Sequence, residues 1–333
     1  MRDLRDFRAG KPAFYPDQSV YAEYTCARFD LAFRDLDGGT GLLFSVTSKS
    51  KSVQFGAGRC SWYPQNNSTA ATLASDKYFA SKILEDAGIA TLGGEYFFLS
   101  ERHRAHRPEG HERQDAVGCF RKLNSAAFVK PLTGSRGDFA QIVDNEAALD
   151  RYLDEVSRYY DSVLMQPIVA GREYRIFLLD DEIVYCARKH PPSLLGDGVR
   201  SIRDLLVAHN SDLQGRGLSS IAVTMTDHLL DAVLPSGTHW EIPGRANFSA
   251  GGRMELESPR AEATAMAREA TRALGLRLAA VDIFTEIDGD QNDLRVIEVN
   301  SNPSIRFLEQ LDRGDLIQKI WHHTFSTLGL LNV

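Results

Sequence analysis

Apolar residues recur along this chain with two periods, and the change from one to the other marks its elements. Residues 77–88 place apolar side chains at helical spacing behind Ser75-Asp76 and stop at Gly88, which predicts a capped helix. Residues 145–159 and 259–274 read as further helices, the second amphipathic and ending at Gly275. Short apolar runs at 95–99, 126–131, 139–143 and 162–166 predict strands, and 174–179 with 182–188 predict a hairpin turning at Asp180-Asp181. Two more strands, 278–287 and 294–300, close the pattern through a polar turn at 288–293. Residues 1–75 read as a small lobe, mostly β or mixed; 101–115 as a polar loop; 190–200 as a loop; 201–210 as helix; and 211–250 as irregular with short strands.

A chain of 333 residues with 43% hydrophobic and 25% charged positions has room for two or three packed lobes and a cleft between them. The boundaries expected are 1–75, 76–168 and 169–333. A net charge of −7 makes no electrostatic case for nucleic acid or a membrane surface, so small-molecule substrates are expected. Cys26, Cys60, Cys119 and Cys186 form no CxxC pair, and the charged N-terminus lacks the apolar core of a signal peptide. A cytoplasmic protein with reduced thiols is the expectation, with a homodimer compatible. His103, His106 and His111 lack the Cys or carboxylate framework of a metal site and read as solvated loop residues.

The candidate chemistry lies on strands. Glu298 and Asn300 are two apart, so they project from one face while Val299 points to the other, and Asp282 on the partner strand can reach the same face. Three hard oxygen donors beside room for phosphate oxygens suit Mg²⁺. Lys130 is delivered by an apolar strand just before the turn Gly134-Ser135-Arg136-Gly137, where glycines allow backbone N–H groups close to phosphate. Neither a P-loop ending nor a GxGxxG fingerprint is present. The segment Gln166-Pro167-Ile168 followed by Glu173 and Arg175 could read an adenine edge and a ribose.

In order, Gln54-Phe-Gly-Ala-Gly58, Ser75-Asp-Lys77, Val129-Lys-Pro131, Gly171-Arg-Glu-Tyr-Arg175, Gly196-Asp-Gly198, Asn247-Phe-Ser-Ala-Gly-Gly252 and Ile297-Glu-Val-Asn300 resemble the ATP-grasp superfamily, within it the ATP-grasp modules of cyanophycin synthetase and bifunctional glutathione synthetase. The resemblance implies an α/β (α+β) ATP-grasp fold, two α+β lobes gripping ATP beside a small N-terminal lobe. Residues 76–168 would then be the lid subdomain and 169–333 the subdomain with the Mg²⁺ site. It implies Lys77, Lys130, Gly134, Ser135 and Gly137 at the phosphates, Gln166 and Ile168 at adenine, Glu173 at ribose, and Asp282, Glu298 and Asn300 at Mg²⁺. Arg245 and Asn247 would handle an acyl phosphate, with Lys130 also catalytic, and Arg175, Arg188 and Arg306 are candidates for a substrate carboxylate. A further basic residue of the pattern fits either Arg188 or Lys189. The family's Leu-Ser-Thr is Phe248-Ser-Ala250 here, and its Pro-Gly after the last motif is Ser301-Asn-Pro-Ser304. The implied activity is an ADP-forming carboxylate–amine ligase joining small amino-acid-like substrates. The alternatives are a kinase of the same fold and a non-catalytic nucleotide-binding module.

Overall fold

The computed structural model describes residues 3–56, 61–134, 137–215, 221, 223, 227–242 and 252–331. The N-terminal part holds α1 (Leu4–Arg8), α2 (Asp17–Arg28), the three-stranded sheet β1 (Ala32–Asp35), β2 (Leu43–Thr47) and β3 (Ser52–Gly56), and α3 (Ser68–Ser75). Next come α4 (Lys77–Asp86), β4 (Glu95–Phe98), α5 (Arg113–Lys122), β5 (Ala127–Pro131), β6 (Gln141–Val143), α6 (Glu146–Val156) and β7 (Ser162–Gln166). The remainder runs β8 (Arg172–Leu179), β9 (Glu182–His190), β10 (Ser193–Leu195), α7 (Ile202–Gly215), α8 (Asp227–Leu230), β11 (His239–Glu241), β12 (Arg253–Leu256), α9 (Ala261–Ala273), β13 (Leu278–Ile287), β14 (Asp290–Asn300), α10 (Arg306–Gln310) and α11 (Gly314–Thr327).

Two antiparallel sheets position the site. The first, in the order β4-β7-β5-β6, packs one face on α5 and α6 through Ala127, Val129, Val163 and Met165. Because side chains alternate along a strand, Phe128, Lys130 and Gln166 project from the other face. The second sheet, β12-β9-β8-β13-β14, buries its back (Ile176, Val281, Ile283, Val299) against α3, α4 and α9. Its front is apolar at one end, where Phe177, Tyr185, Leu278 and Ala280 meet Tyr21, Phe44, Trp321 and Phe325 of the N-terminal part and α11. At the other end the same front face carries charge: Glu173, Arg175, Lys189, Asp282 and Glu298. The N-terminal part therefore shares one core with the five-stranded sheet, and the described residues of 193–242 form a satellite core of their own around Leu194, Leu205 and Leu213.

Several expectations change. The polar run ending at Asp115 contains the start of α5, whose buried residues Ala116 and Phe120 are too sparse among charges to advertise a helix. Phe139 sits at φ 53° in a turn, so β6 is confined to Gln141–Val143. The turn closing β13 and β14 is only Asp288-Gly289, since Ile287 pairs directly with Asp290. His111 is not a loop residue in solvent: it stacks on Tyr96 at 4.1 Å between centroids, with Nδ1 2.9 Å from the Tyr96 carbonyl. Residues 211–215 continue α7, and β10 forms inside the run read as a loop, paired with β11, one of the short strands expected in 211–250.

Candidate functional site

Between the two sheets lies a cleft with a volume of about 460 Å³. Lys77, Lys130, Gly134, Gly137, Gln166, Ile168, Glu173, Glu298 and Asn300 all line it, and so does Lys189. Ser135, Arg245 and Asn247 lie outside the described residues.

Lys77 opens α4, whose N-terminus is capped by Asp76 accepting from Tyr78 N and Phe79 N at 3.0 Å. Its Nζ donates to the carbonyls of Leu132 (3.2 Å) and Gly134 (2.6 Å), which ties the helix to the start of the glycine turn. Lys130 is 6% exposed and, among the described residues, has no ion-pair partner; its Nζ lies 5.7 Å from the Phe128 ring centroid. Burial pushes its ammonium down to about 8, Glu298 across the cleft resisting and Lys77 assisting. Burial also lowers Lys77, against the pull of Glu298. Two poorly solvated ammonium groups converging on one space make an anion site.

Gln166 occupies the apolar end. Its Nε2 donates to Gly93 O at 2.6 Å, so the amide is oriented and Oε1 is the atom left buried with no partner among the described residues. That contact needs a close backbone approach: a Cβ on Gly94, at φ 116°, would come within 2.6 Å of Met165 O. An oriented, orphaned acceptor beside Phe128, Leu92, Ile142 and Ile168 fits a flat heterocycle carrying an N–H donor.

On the opposite wall Asn300 Nδ2 donates to Glu298 Oε1 at 3.0 Å. This leaves Asn300 Oδ1 and the second Glu298 oxygen as hard donors, a set that fits Mg²⁺ completed by phosphate oxygens and water. Asp282 differs from the expectation. It pairs in register with Glu298 but is 0% exposed and does not line the cleft. Arg175 grips it with Nε–Oδ1 2.8 Å and Nη2–Oδ2 2.7 Å, and Lys189 Nζ reaches Oδ2 at 2.7 Å. Burial alone would raise its carboxyl, but those two cations hold it well below the usual carboxylate range. Lys189 also donates to Glu173, whose carboxyl burial pushes up against the pull of that lysine.

The three arginines expected at a substrate are placed elsewhere. Arg175 is committed to Asp282. Arg188 pairs in register with Tyr174 and Glu255, so it projects from the back of the sheet, 3.6 Å from Glu257. Arg306, at the start of α10, is half exposed and pairs with Asp17 at 3.3 Å. Strand alternation thus settles which basic residue faces the cleft: Lys189 does, and Arg188 does not. Also missed was Asn66, a buried amide that donates to Leu278 O and Ser301 O and accepts from Arg277 N and Leu278 N, tying together one end of β13 and the residue after Asn300. A lone loop asparagine carries no signal of that in sequence.

A domain profile described as "RimK-like ATP-grasp domain" matches residues 239–323. The chain is 25% identical over 264 residues to the glutathione biosynthesis bifunctional protein GshAB of Streptococcus thermophilus, covering 72% of this chain and 33% of that protein. It is 28% identical over 263 residues to the cyanophycin synthetase of Trichormus variabilis, covering 70% and 27% respectively. This chain therefore spans about a third or less of the length of these curated relatives. Among solved structures, the bifunctional glutathione synthetase from Pasteurella multocida superposes with a TM-score of 0.54 at 18% identity, over 92% of this chain and 45% of that one. The D-alanine–D-alanine ligase from Bacillus anthracis does so with a TM-score of 0.51 at 15% identity, over 79% and 69%. Residues 239–323 are thus similar to a RimK-like ATP-grasp domain, and the chain shares its fold with these glutathione synthetase and D-alanine–D-alanine ligase structures.

Proposed function

We propose that this protein is an ATP- and Mg²⁺-dependent carboxylate–amine ligase that forms an amide or peptide bond between small amino-acid-like substrates and releases ADP and phosphate. The observation that carries the reading is the cleft itself, which Lys77 and Lys130 line opposite the sheet face bearing Lys189, Glu298 and Asn300, with the oriented Gln166 at its apolar end. Relatives whose names denote glutathione and cyanophycin synthesis, and a neighbour that joins D-alanine to D-alanine, support a ligase over other nucleotide chemistry.

In this reading adenine lies against Phe128 and Ile168 with its amino group on Gln166 Oε1, and Glu173 takes ribose hydroxyls. Lys77, through the glycine turn it already holds, and Lys130 draw charge from the phosphates as the γ-phosphoryl group moves to the substrate carboxylate. Gly134 and Gly137, with Ser135 between them, bring backbone N–H groups to the same oxygens. Glu298 and Asn300 would hold Mg²⁺, which would supply positive charge to offset that of the phosphates. The amine then attacks the acyl phosphate carbon, and phosphate departs. Arg245 and Asn247 are assigned to that step on their sequence position. The 76–168 segment is the lid in this reading; from β4 to β7 it has a core separate from that of the five-stranded sheet, on which α4 packs, and it would exclude water that hydrolyses the acyl phosphate. No covalent enzyme nucleophile is needed. The unpaired thiols of Cys26, Cys119 and Cys186 fit a cytoplasmic setting.

The test is ADP release with Mg-ATP across amino acids and short peptides, singly and in pairs, with hydroxylamine added to trap acyl phosphate. Pair-dependent ADP release and a hydroxamate from one partner are expected. Glu298→Gln, which keeps shape and removes the charge, should lower turnover by about 10²-fold or more with the fold intact. AMP release, a stable phosphorylated product, or full activity of the variant would overturn the reading.

A further inference from the structure

Lys189 holds two carboxylates that belong to different parts of the nucleotide site. Its Nζ donates to Glu173 Oε1 and, at 2.7 Å, to Asp282 Oδ2. An ionised carboxylate offers about four lone-pair positions, and on Asp282 the fork of Arg175 and the Lys189 ammonium fill three of them. A divalent ion needs an oxygen at roughly 2.0–2.1 Å, and an ammonium already on Oδ2 opposes it by like charge in a buried setting. The Arg175 grip is bidentate, and breaking it would strand a buried charge. Lys189 is the weaker hold, a single ammonium on a flexible stem shared between two acceptors.

We propose that Lys189 couples recognition of ribose to assembly of the metal site: until a ribonucleotide takes over Glu173, Lys189 masks Asp282, so that the metal joins with the nucleotide and not ahead of it. This rests on the reading that a magnesium nucleotide occupies the cleft. Ribose hydroxyls donating to Glu173 remove one of the two acceptors that hold Nζ, and a phosphate oxygen supplies its replacement. Asp282 then keeps Arg175 and turns a free oxygen face toward Glu298 and Asn300, its neighbours on β14. By reciprocity, the metal tightens the ribonucleotide by the same factor as the ribonucleotide tightens the metal. A purely structural Lys189 would leave that factor unchanged.

The experiment titrates the full chain with Mn²⁺, reading free Mn²⁺ by electron paramagnetic resonance, in the presence of no nucleotide, ADP or 2′,3′-dideoxy-ADP, for the wild type, Lys189→Met and Lys189→Arg. The two nucleotides sequester Mn²⁺ alike in solution, so their difference reports Glu173. The wild type should bind Mn²⁺ alone weakly, and Lys189→Met should bind it tighter by a factor within roughly 5- to 150-fold. Lys189→Arg should stay weak, and ADP should raise wild-type affinity more than dideoxy-ADP does. Equal Mn²⁺ affinity in wild type and Lys189→Met, or equal effects of the two nucleotides, overturns the proposal. Should Lys189→Met not fold, the comparison of nucleotides on the wild type decides. Failure of ADP to bind at all, with or without Mn²⁺, would instead bring down the underlying reading of the cleft.

Discussion

Replacing Lys130 by Met should stabilise the protein while destroying its proposed chemistry. The lysine stem is buried at 6% exposure, no ion pair among the described residues compensates its ammonium, and burial takes its pKa from 10.5 to about 8. At about 1.4 kcal/mol for each tenfold change, holding the charged form in the fold costs about 3 kcal/mol at pH 7. Methionine has nearly the same length and shape and carries no charge, so it should recover most of that amount. The pH dependence has a definite sign. Between pH 8 and 10.5 the unfolded chain keeps this proton and the folded one has released it, so wild-type stability rises with pH through that window. The cost is fully present below the folded pKa and is gone above the unfolded one. Denaturant titrations of both proteins from pH 7 to pH 10.5 check this. The expected result is a variant more stable by about 3 kcal/mol at pH 7, with the gap closing as pH rises, together with loss of ATP binding. A variant no more stable than wild type at pH 7, or a gap that does not change with pH, would refute the argument that Lys130 is an uncompensated buried charge kept for an anion.

Arg188→Ala should leave nucleotide affinity within about twofold of wild type, since a surface ion pair on the back of the sheet is worth under about 1 kcal/mol; a large loss, read by calorimetry with ADP, would place Arg188 in the site after all. Asn66→Ala should cost about 4 kcal/mol of stability, because the four bonds of this side chain are worth roughly 1 kcal/mol each and their backbone partners stay buried. It should also weaken metal binding by displacing the end of β14, and a denaturant midpoint unchanged from wild type would contradict both.

Much of the architecture was legible because it follows local periodicity. The alternation Ala127-Phe128-Val129-Lys130 says that Val129 is core when Lys130 is not, and Glu298-Val299-Asn300 says the same of the metal strand. Helices with caps and stop glycines, α4 with Asp76 and α9 with Gly275, were readable from end to end. Helices whose buried faces are short or mixed were not: α5 buries Ala116 and Phe120 alone, and α2 buries Gln18, Ser19 and Thr25 beside its apolar residues.

By itself, then, the sequence determined which residue types line the cleft and that Lys130, Glu298 and Asn300 sit on strand faces, because a period of two is a property of the strand alone. It left open which of Arg188 and Lys189 faces the cleft, since that depends on the register of β9 between β8 and β12, and a shift of one residue exchanges the faces. It also could not show that Asp282 is held by Arg175 and Lys189, or that Lys130 has no ion-pair partner among the described residues. Those facts are pairings between strands 16 to 107 residues apart, and only the packed sheet decides which charges are satisfied and which are left for a ligand.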